Sequence, residues 1–191
     1  MSQLLIGLAG KARSGKDTAA SYLAAHYALL SYAFADPLKA ALAQLFGLTS
    51  AHLEGALKEL PLPDIGKSPR ELMQLLGTEW ARDMVHRDLW LLLAKQNISA
   101  QLDGDQSHYN GVIIRDVRFE NEAQWIRSQG GVVVHIQRPD AQPVAAHISE
   151  TPLLVGTKDA VVHNTGSIED FHSELRTLMI YLQRRQALNA A

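Results

Sequence analysis

The residues with the most chemical content are Gly10-Lys11-Ala12-Arg13-Ser14-Gly15-Lys16-Asp17-Thr18. An apolar run, Leu4–Leu8, leads into them, and a helix-compatible stretch, Lys16–Tyr27, leads out. Glycines at the first and sixth positions let the backbone turn N–H groups inward. The start of a helix adds a partial positive charge, and Lys16 adds a full one, so the segment can cradle phosphate oxygens. The spacing G-x-x-x-x-G-K between a strand and a helix is that of a phosphate-binding loop. One position departs from it. Asp17 stands where a serine or threonine is usual, and Thr18 comes next. A carboxylate beside a polyphosphate is repelled unless Mg²⁺, or water on Mg²⁺, lies between them. Asp17 is therefore expected on the metal side, with Thr18 as the alternative hydroxyl.

Elements that could position this loop follow from periodicity. Short apolar runs at Leu4–Leu8, Leu29–Phe34, Val112–Ile114, Val132–Ile136 and Ala160–Val162 read as buried strands. Helices are expected over Lys16–Tyr27, over Pro37–Phe46 with Asp36 as cap, from Ser68 to about Met84, over Asp88–Ser99 and over Glu120–Ser128. Ser68-Pro69-Arg70-Glu71 is a capping box with proline at the first helical position. Ile168, Phe171, Leu175, Leu178 and Leu182 mark a last amphipathic helix capped by Ser167. Strands alternating with helices, without hairpin turns, predict an α/β fold: a three-layer, five-stranded parallel sheet flanked by helices. The expected division of this single domain is a core of 1–36, 105–138 and 158–191, a helical insert of about 37–104 and a lid of about 139–157.

In open parallel sheets ligands bind at the carboxyl ends of the strands. Asp36 and Lys39 follow the second strand; Arg115, Asp116 and Arg118 follow the third. Arg138 follows the fourth, and Asn164 and Ser167 follow the fifth. A rim so rich in cations suits a small, highly anionic ligand. Arg70 adds to it: a cation in the first turn of a helix opposes the macrodipole, and a bound phosphate would resolve the conflict. His135 and His163 read as packed histidines, and Leu38, Leu42 and Leu45 as a core stripe.

Composition narrows the rest. The chain has 191 residues, with 18 Lys plus Arg against 20 Asp plus Glu, so it lacks the basic excess of a nucleic-acid binder. With 6% aromatics there is no base-stacking platform to expect. The absence of cysteine removes disulfides, thiolate metal sites and thiol catalysis. The longest strongly apolar run, about Leu89–Ala94, falls short of a membrane span. No basic segment precedes the first apolar stretch, so no secretory signal is read there. The expectation is a cytoplasmic protein with no membrane partner.

The segments RSGKDT, SYAFADPLK, SPRELMQLLGTEWAR, IIRDVRFENE and HNTGSIEDF, in that order, resemble the deoxynucleoside monophosphate kinases of tailed bacteriophages. The likeness runs from about residue 3 to residue 180. It implies a P-loop kinase fold with a helical monophosphate-binding insert and a lid, and ATP-dependent phosphorylation of a deoxynucleoside monophosphate with Mg²⁺. Carried over by position, Gly10, Lys11, Ala12, Arg13, Ser14, Gly15, Lys16, Asp17 and Thr18 would hold the ATP phosphates. Asn164 and Ser167 would line the adenine edge. Asp36, Lys39, Arg70, Gln74, Thr78, Asp116, Arg118 and Glu150 would meet the acceptor. Lys16, Arg118 and Arg138 would neutralise charge during transfer, and Asp17, Thr18 or Asp116 would serve Mg²⁺. His147-Ile148-Ser149-Glu150 resembles a lid signature of the same family. The implied partners are small-molecule nucleotides and a second copy of the chain, and a phage origin would place it in the host cytoplasm.

Two other readings stay open at the level of sequence. RSGKD is also similar to animal phosphomevalonate kinases, so the acceptor could be another small phosphorylated molecule, of the phosphomevalonate or dephospho-coenzyme-A type. A nucleotide-hydrolysing switch, a motor or a binding module is the second. Against it, Asn164 is followed by Thr165 where a guanine-specific switch has NKxD, and Asp116 by Val117 where a motor has a second acid.

Overall fold

A computed structural model describes residues 4–104, 108–141 and 147–190. The chain folds into two compact units, residues 1–33 with 102–191, and residues 34–101.

The first unit holds the sheet. Strands β1 (Leu4–Ala9), β2 (Leu29–Tyr32), β3 (Gly111–Val117), β4 (Val132–Gln137) and β5 (Ala160–His163) lie in the order β2-β3-β1-β4-β5, all parallel. Helices α1 (Lys16–Tyr27) and α7 (Ile168–Ala190) pack on one face. Ile6, Leu8, Ile113, Val132 and Val134 meet Leu23, Phe171, Leu175 and Met179 there in one buried cluster. Side chains alternate along a strand, so Gly7 faces the other side. There α6 (Glu120–Ser128) lays Ile126 directly over Gly7, where any β-carbon would collide with it. The five-stranded parallel sheet flanked by helices is the architecture expected from the alternation of elements.

Strand β3 is longer than its apolar run. Gly7 pairs with Ile114 and Ala9 with Val117, so one residue of β1 spans two of β3, Arg115 and Asp116. Such a bulge re-aims side chains. Arg115 and Asp116 are both half-buried inside the strand, not beyond its end as their charge suggests. Their polarity breaks the apolar pattern, while backbone pairing continues to Val117. Strand β2 ends at Tyr32, two residues short of the expected Phe34.

The second unit is helical: α2 (Asp36–Phe46), α3 (Ser50–Leu53), α4 (Pro69–Gln74), wide π-type turns over Leu75–Val85, and α5 (Leu89–Leu102), which runs to its boundary. Ser68 caps α4 as the capping box predicts, its hydroxyl accepting from the Glu71 N–H at 3.2 Å and the Glu71 carboxylate accepting from the Ser68 N–H at 2.8 Å. Asp36 is not a cap. Ala35 already has helical angles, so Asp36 is the first helical residue, where the macrodipole still favours its charge. The helix from Ser68 is not uniform: α geometry stops at Gln74. The apolar stripe of α2 also ends early, with Leu38 and Leu42 buried and Leu45 71% exposed.

Among the described residues, no helix is long and apolar enough to cross a membrane.

Candidate functional site

The 10–15 loop owes its shape to three residues in left-handed backbone, Gly10 (φ +146°), Arg13 (φ +62°) and Gly15 (φ +102°). Left-handed geometry is easy for glycine and strained for arginine, and strain of this kind collects at ligand-binding loops. Glycine at position 10 is also demanded by space, since a β-carbon there would lie 2.5 Å from the Ile136 carbonyl oxygen and 2.8 Å from Ser14 Oγ. Ser14 is buried, and its hydroxyl has no hydrogen-bond partner among the described residues. An unsatisfied buried hydroxyl is costly and calls for a ligand. An anion seated in the loop would supply the missing acceptor, so the residues present fit a phosphate group.

Lys16 closes the loop. Its ammonium donates to the Gly10 and Lys11 carbonyl oxygens, each at 2.7 Å. Burial pulls its pKa down to about 8, helped by Arg118 and opposed by Glu150, Asp17 and Asp116. The same five groups therefore share one electrostatic neighbourhood, although they come from α1, the β3 bulge, the turn after β3 and the 148–150 turn. Arg118 Nη1 donates to Glu150 Oε1 at 2.6 Å and to the Ser149 carbonyl at 3.1 Å. Its backbone N–H donates to Glu122 Oε2 at 2.8 Å, and Glu122 is fully enclosed. The Glu150 carboxylate thus rests on a cation.

A cavity of about 460 Å³ opens beside the loop. Gly10, Lys11 and Ser14 form one wall, Arg118, Gln137 and Arg138 another, and Ser149, Glu150, Leu153 and Val155 a third. The third wall belongs to the segment expected to act as a lid. Of that segment, residues 142–146 lie outside the described residues. Asn164 Nδ2 donates to the Ser14 carbonyl at 2.9 Å, so its observed tie is to the loop itself. Ser167 caps α7, its hydroxyl accepting from the Asp170 N–H at 3.2 Å. Asp17 and Thr18 are exposed on the first turn of α1.

The remaining candidates lie in the 34–101 unit. Lys39 pairs with Glu54 at 2.5 Å and Arg70 with Glu59 at 2.6 Å. Glu59 therefore answers the conflict between Arg70 and the helix dipole from within the protein. Gln74 ends α4, and Thr78 is buried among the π-type turns, which Trp90 holds by donating to the Gly77 carbonyl at 2.7 Å.

A family model described as deoxynucleotide monophosphate kinase matches residues 4–60 and 64–175. The chain belongs to that family. A protein of that name from Acanthamoeba polyphaga mimivirus is 35% identical over 191 residues, covering 90% of this chain and 94% of its own. The deoxynucleotide monophosphate kinase of Enterobacteria phage T4 is 28% identical, with 92% of this chain and 98% of its own covered. Among solved structures, TT1252 from Thermus thermophilus aligns with a TM-score of 0.54 at 17% identity over 95% of this chain and 99% of its own. A gluconokinase from Sinorhizobium meliloti 1021 aligns at 0.52 and 12% identity, over 100% and 99%. These structural likenesses concern the fold. Family membership makes the chain a kinase, a phosphotransferase.

Sequence reasoning missed the group that anchors the far end of the third cavity wall. The Asp159 side chain is enclosed and accepts from Arg127 Nη2 at 2.6 Å and from the Gly156 N–H at 2.7 Å. His135 Nε2 lies 3.0 Å from the same carboxylate oxygen, and Arg127 also donates to the Leu154 carbonyl at 3.0 Å. His135 is packed as expected, but His163 is exposed because it ends the edge strand β5. No spacing rule links residues 127, 135 and 159; only a basic residue on a helix face gave any signal.

Burial pushes the Asp159 carboxyl up, but Arg127, the Gly156 N–H and His135 outweigh it and bring it down to about 2. The stabilisation is therefore present above the unfolded pKa near 4 and lost as pH falls toward 2. Asp159→Asn is expected to cost about 1–2 kcal/mol at pH 7, because it weakens the charge-assisted bonds to Arg127, which keeps Glu120 and the Leu154 carbonyl as partners. Urea unfolding at pH 7 and at pH 2.5 checks both points. A gap between the two proteins that does not shrink at the lower pH would contradict them.

Proposed function

We propose that the chain transfers the γ-phosphoryl group of ATP to the phosphate of a deoxynucleoside monophosphate. The observation that carries this reading is the orphaned Ser14 hydroxyl, buried in a glycine loop closed by Lys16 and faced by Arg118 across the cavity. In the reaction the bond from the γ-phosphorus to the β–γ bridging oxygen breaks, and one forms to an oxygen of the acceptor phosphate. A phosphate monoester is largely dianionic at neutral pH, so no strong base is needed. The work is alignment and charge neutralisation. Loop residues 10–18 hold the donor phosphates, Asn164 and Ser167 lie on the donor side, and Lys16, Arg118 and Arg138 offset the equatorial charge. Arginine's planar fork suits that task.

Asp36, Lys39, Arg70, Gln74 and Thr78 are assigned to the acceptor, with Asp116 and Glu150 on the phosphate side. The proposed division is a core of 1–36, 105–138 and 158–191, an acceptor-recognising insert of 37–104 and a lid of 139–157 that excludes water. Asp17 or Thr18, with Asp116, would offer Mg²⁺ the oxygen donors it prefers, directly or through water, alongside phosphates. When bound, the ion would neutralise phosphate charge. The protein would work in the cytoplasm on small nucleotides, as a monomer or a homodimer.

A coupled ADP-release assay tests the reading. It takes ATP and Mg²⁺ with dAMP, dCMP, dGMP, dTMP, 5-hydroxymethyl-dCMP, phosphomevalonate or dephospho-coenzyme A singly, and with no acceptor. ADP release is expected with one or more deoxynucleotides and not without an acceptor. Release that ignores the acceptor, or that follows only phosphomevalonate or dephospho-coenzyme A, would overturn it.

A further inference from the structure

We infer that Asn164 is a positioning residue that sets which way the Ser14–Gly15 peptide faces, and so whether the Gly15 N–H is offered to the donor phosphates. This rests on the proposed use of the loop to hold the phosphates of ATP.

A peptide unit is planar and trans, so its carbonyl and its N–H point in opposite directions. A loop that binds an anion needs its N–H groups turned inward and its carbonyls turned out. The Ser14–Gly15 unit is the weak point. Gly15 sits at φ +102°, and glycine tolerates either side of the peptide with little steric cost. Rotating this one plane would aim the Ser14 carbonyl at a phosphate oxygen and turn the Gly15 N–H away.

Asn164 blocks that rotation. Its Nδ2 donates to the Ser14 carbonyl at 2.9 Å, across 150 residues of sequence. Its own backbone N–H donates to the Gln137 carbonyl at 2.8 Å, which fixes the side chain's origin to the end of β4. A β-carbon on Gly15 would lie 2.5 Å from Asn164 Nδ2. Glycine at position 15 therefore does two jobs. It adopts the left-handed angle, and it leaves the space that the asparagine amide fills. An adenine-edge contact explains neither the bond to Ser14 nor this close fit.

The test compares wild type, Asn164→Ala and Asn164→Asp by titration calorimetry with ATP and with inorganic tripolyphosphate, which has no base. Loss of one half-buried hydrogen bond predicts weakening of both ligands by the same factor, about three- to tenfold. Unfolding temperatures without ligand separate this from general destabilisation. Weakening of ATP alone, or of neither ligand, would overturn the inference. Should neither variant fold, the wild type decides by ¹⁵N–¹H spectroscopy: tripolyphosphate must shift the Gly15 amide resonance, and an unmoved resonance overturns the inference. Wild type that binds neither ligand would instead remove the reading of the loop on which it rests.

Discussion

Lys16→Met is expected to abolish most phosphoryl transfer while leaving the folded protein at least as stable as before. Lys16 is buried, and burial with the neighbouring Arg118 lowers its pKa to about 8 from 10.5. The folded state therefore holds the proton less tightly than the unfolded chain does, and the charged ammonium opposes folding below about pH 8. Methionine keeps the apolar stem and removes that cost, although it gives up the two bonds to the Gly10 and Lys11 carbonyls. In the loaded enzyme the ammonium is the full charge of the loop. Its loss should lower kcat/KM by roughly a thousandfold or more, the scale of removing a preorganised charge from a dry site. The ADP-release assay and a thermal melt without nucleotide check the two halves separately. Activity near wild type would refute the mechanism. A melting point several degrees lower would refute the account of Lys16 burial.

Arg118→Met should act on turnover more than on donor binding. Arg118 leaves the bulged strand β3 with its backbone held by the enclosed Glu122 and its guanidinium against the 148–150 turn. If it offsets charge that grows in the transition state, kcat falls by about a hundredfold or more while the dissociation constant of ATP moves only a few-fold. Arg118→Lys should recover little. Lysine offers a point charge, whereas one guanidinium nitrogen here serves two acceptors and, among the described residues, the others remain to meet phosphate. Equal losses in kcat and in ATP affinity would place Arg118 in ground-state binding instead. Full recovery by lysine would show that charge alone matters there.

The glycine loop after β1 is legible in the sequence because its backbone demands are local. Gly10, Gly15 and Lys16 are close in sequence and sit between a continuous apolar run and a helix-compatible stretch. The capping box at Ser68 and the helix Glu120–Ser128 were legible for the same reason. The order of the strands was not, because parallel strands carry no mark of their neighbours. The bulge at Arg115 and Asp116 was hidden because a register shift exists only relative to β1. The π-type turns after Gln74 were hidden because helical periodicity alone does not register a local widening of the turn.

Partnerships separate the two levels most clearly. The residues by themselves named Arg70, Arg118 and Asn164 as candidate polar groups, the family resemblance added Glu150, and the rim charges suggested a small polyanion. Which carboxylate faces which cation was decided by folding: Glu59 on Arg70, Glu150 on Arg118, and Asp159 between Arg127 and His135. Local backbone preference is written in neighbouring residues, whereas charge pairing is screened within about 10 Å and acts between groups that only the fold brings together. Asn164 and Gly15 stand 149 positions apart, and only the meeting of the β5–α7 loop with the start of α1 gives either its shape requirement.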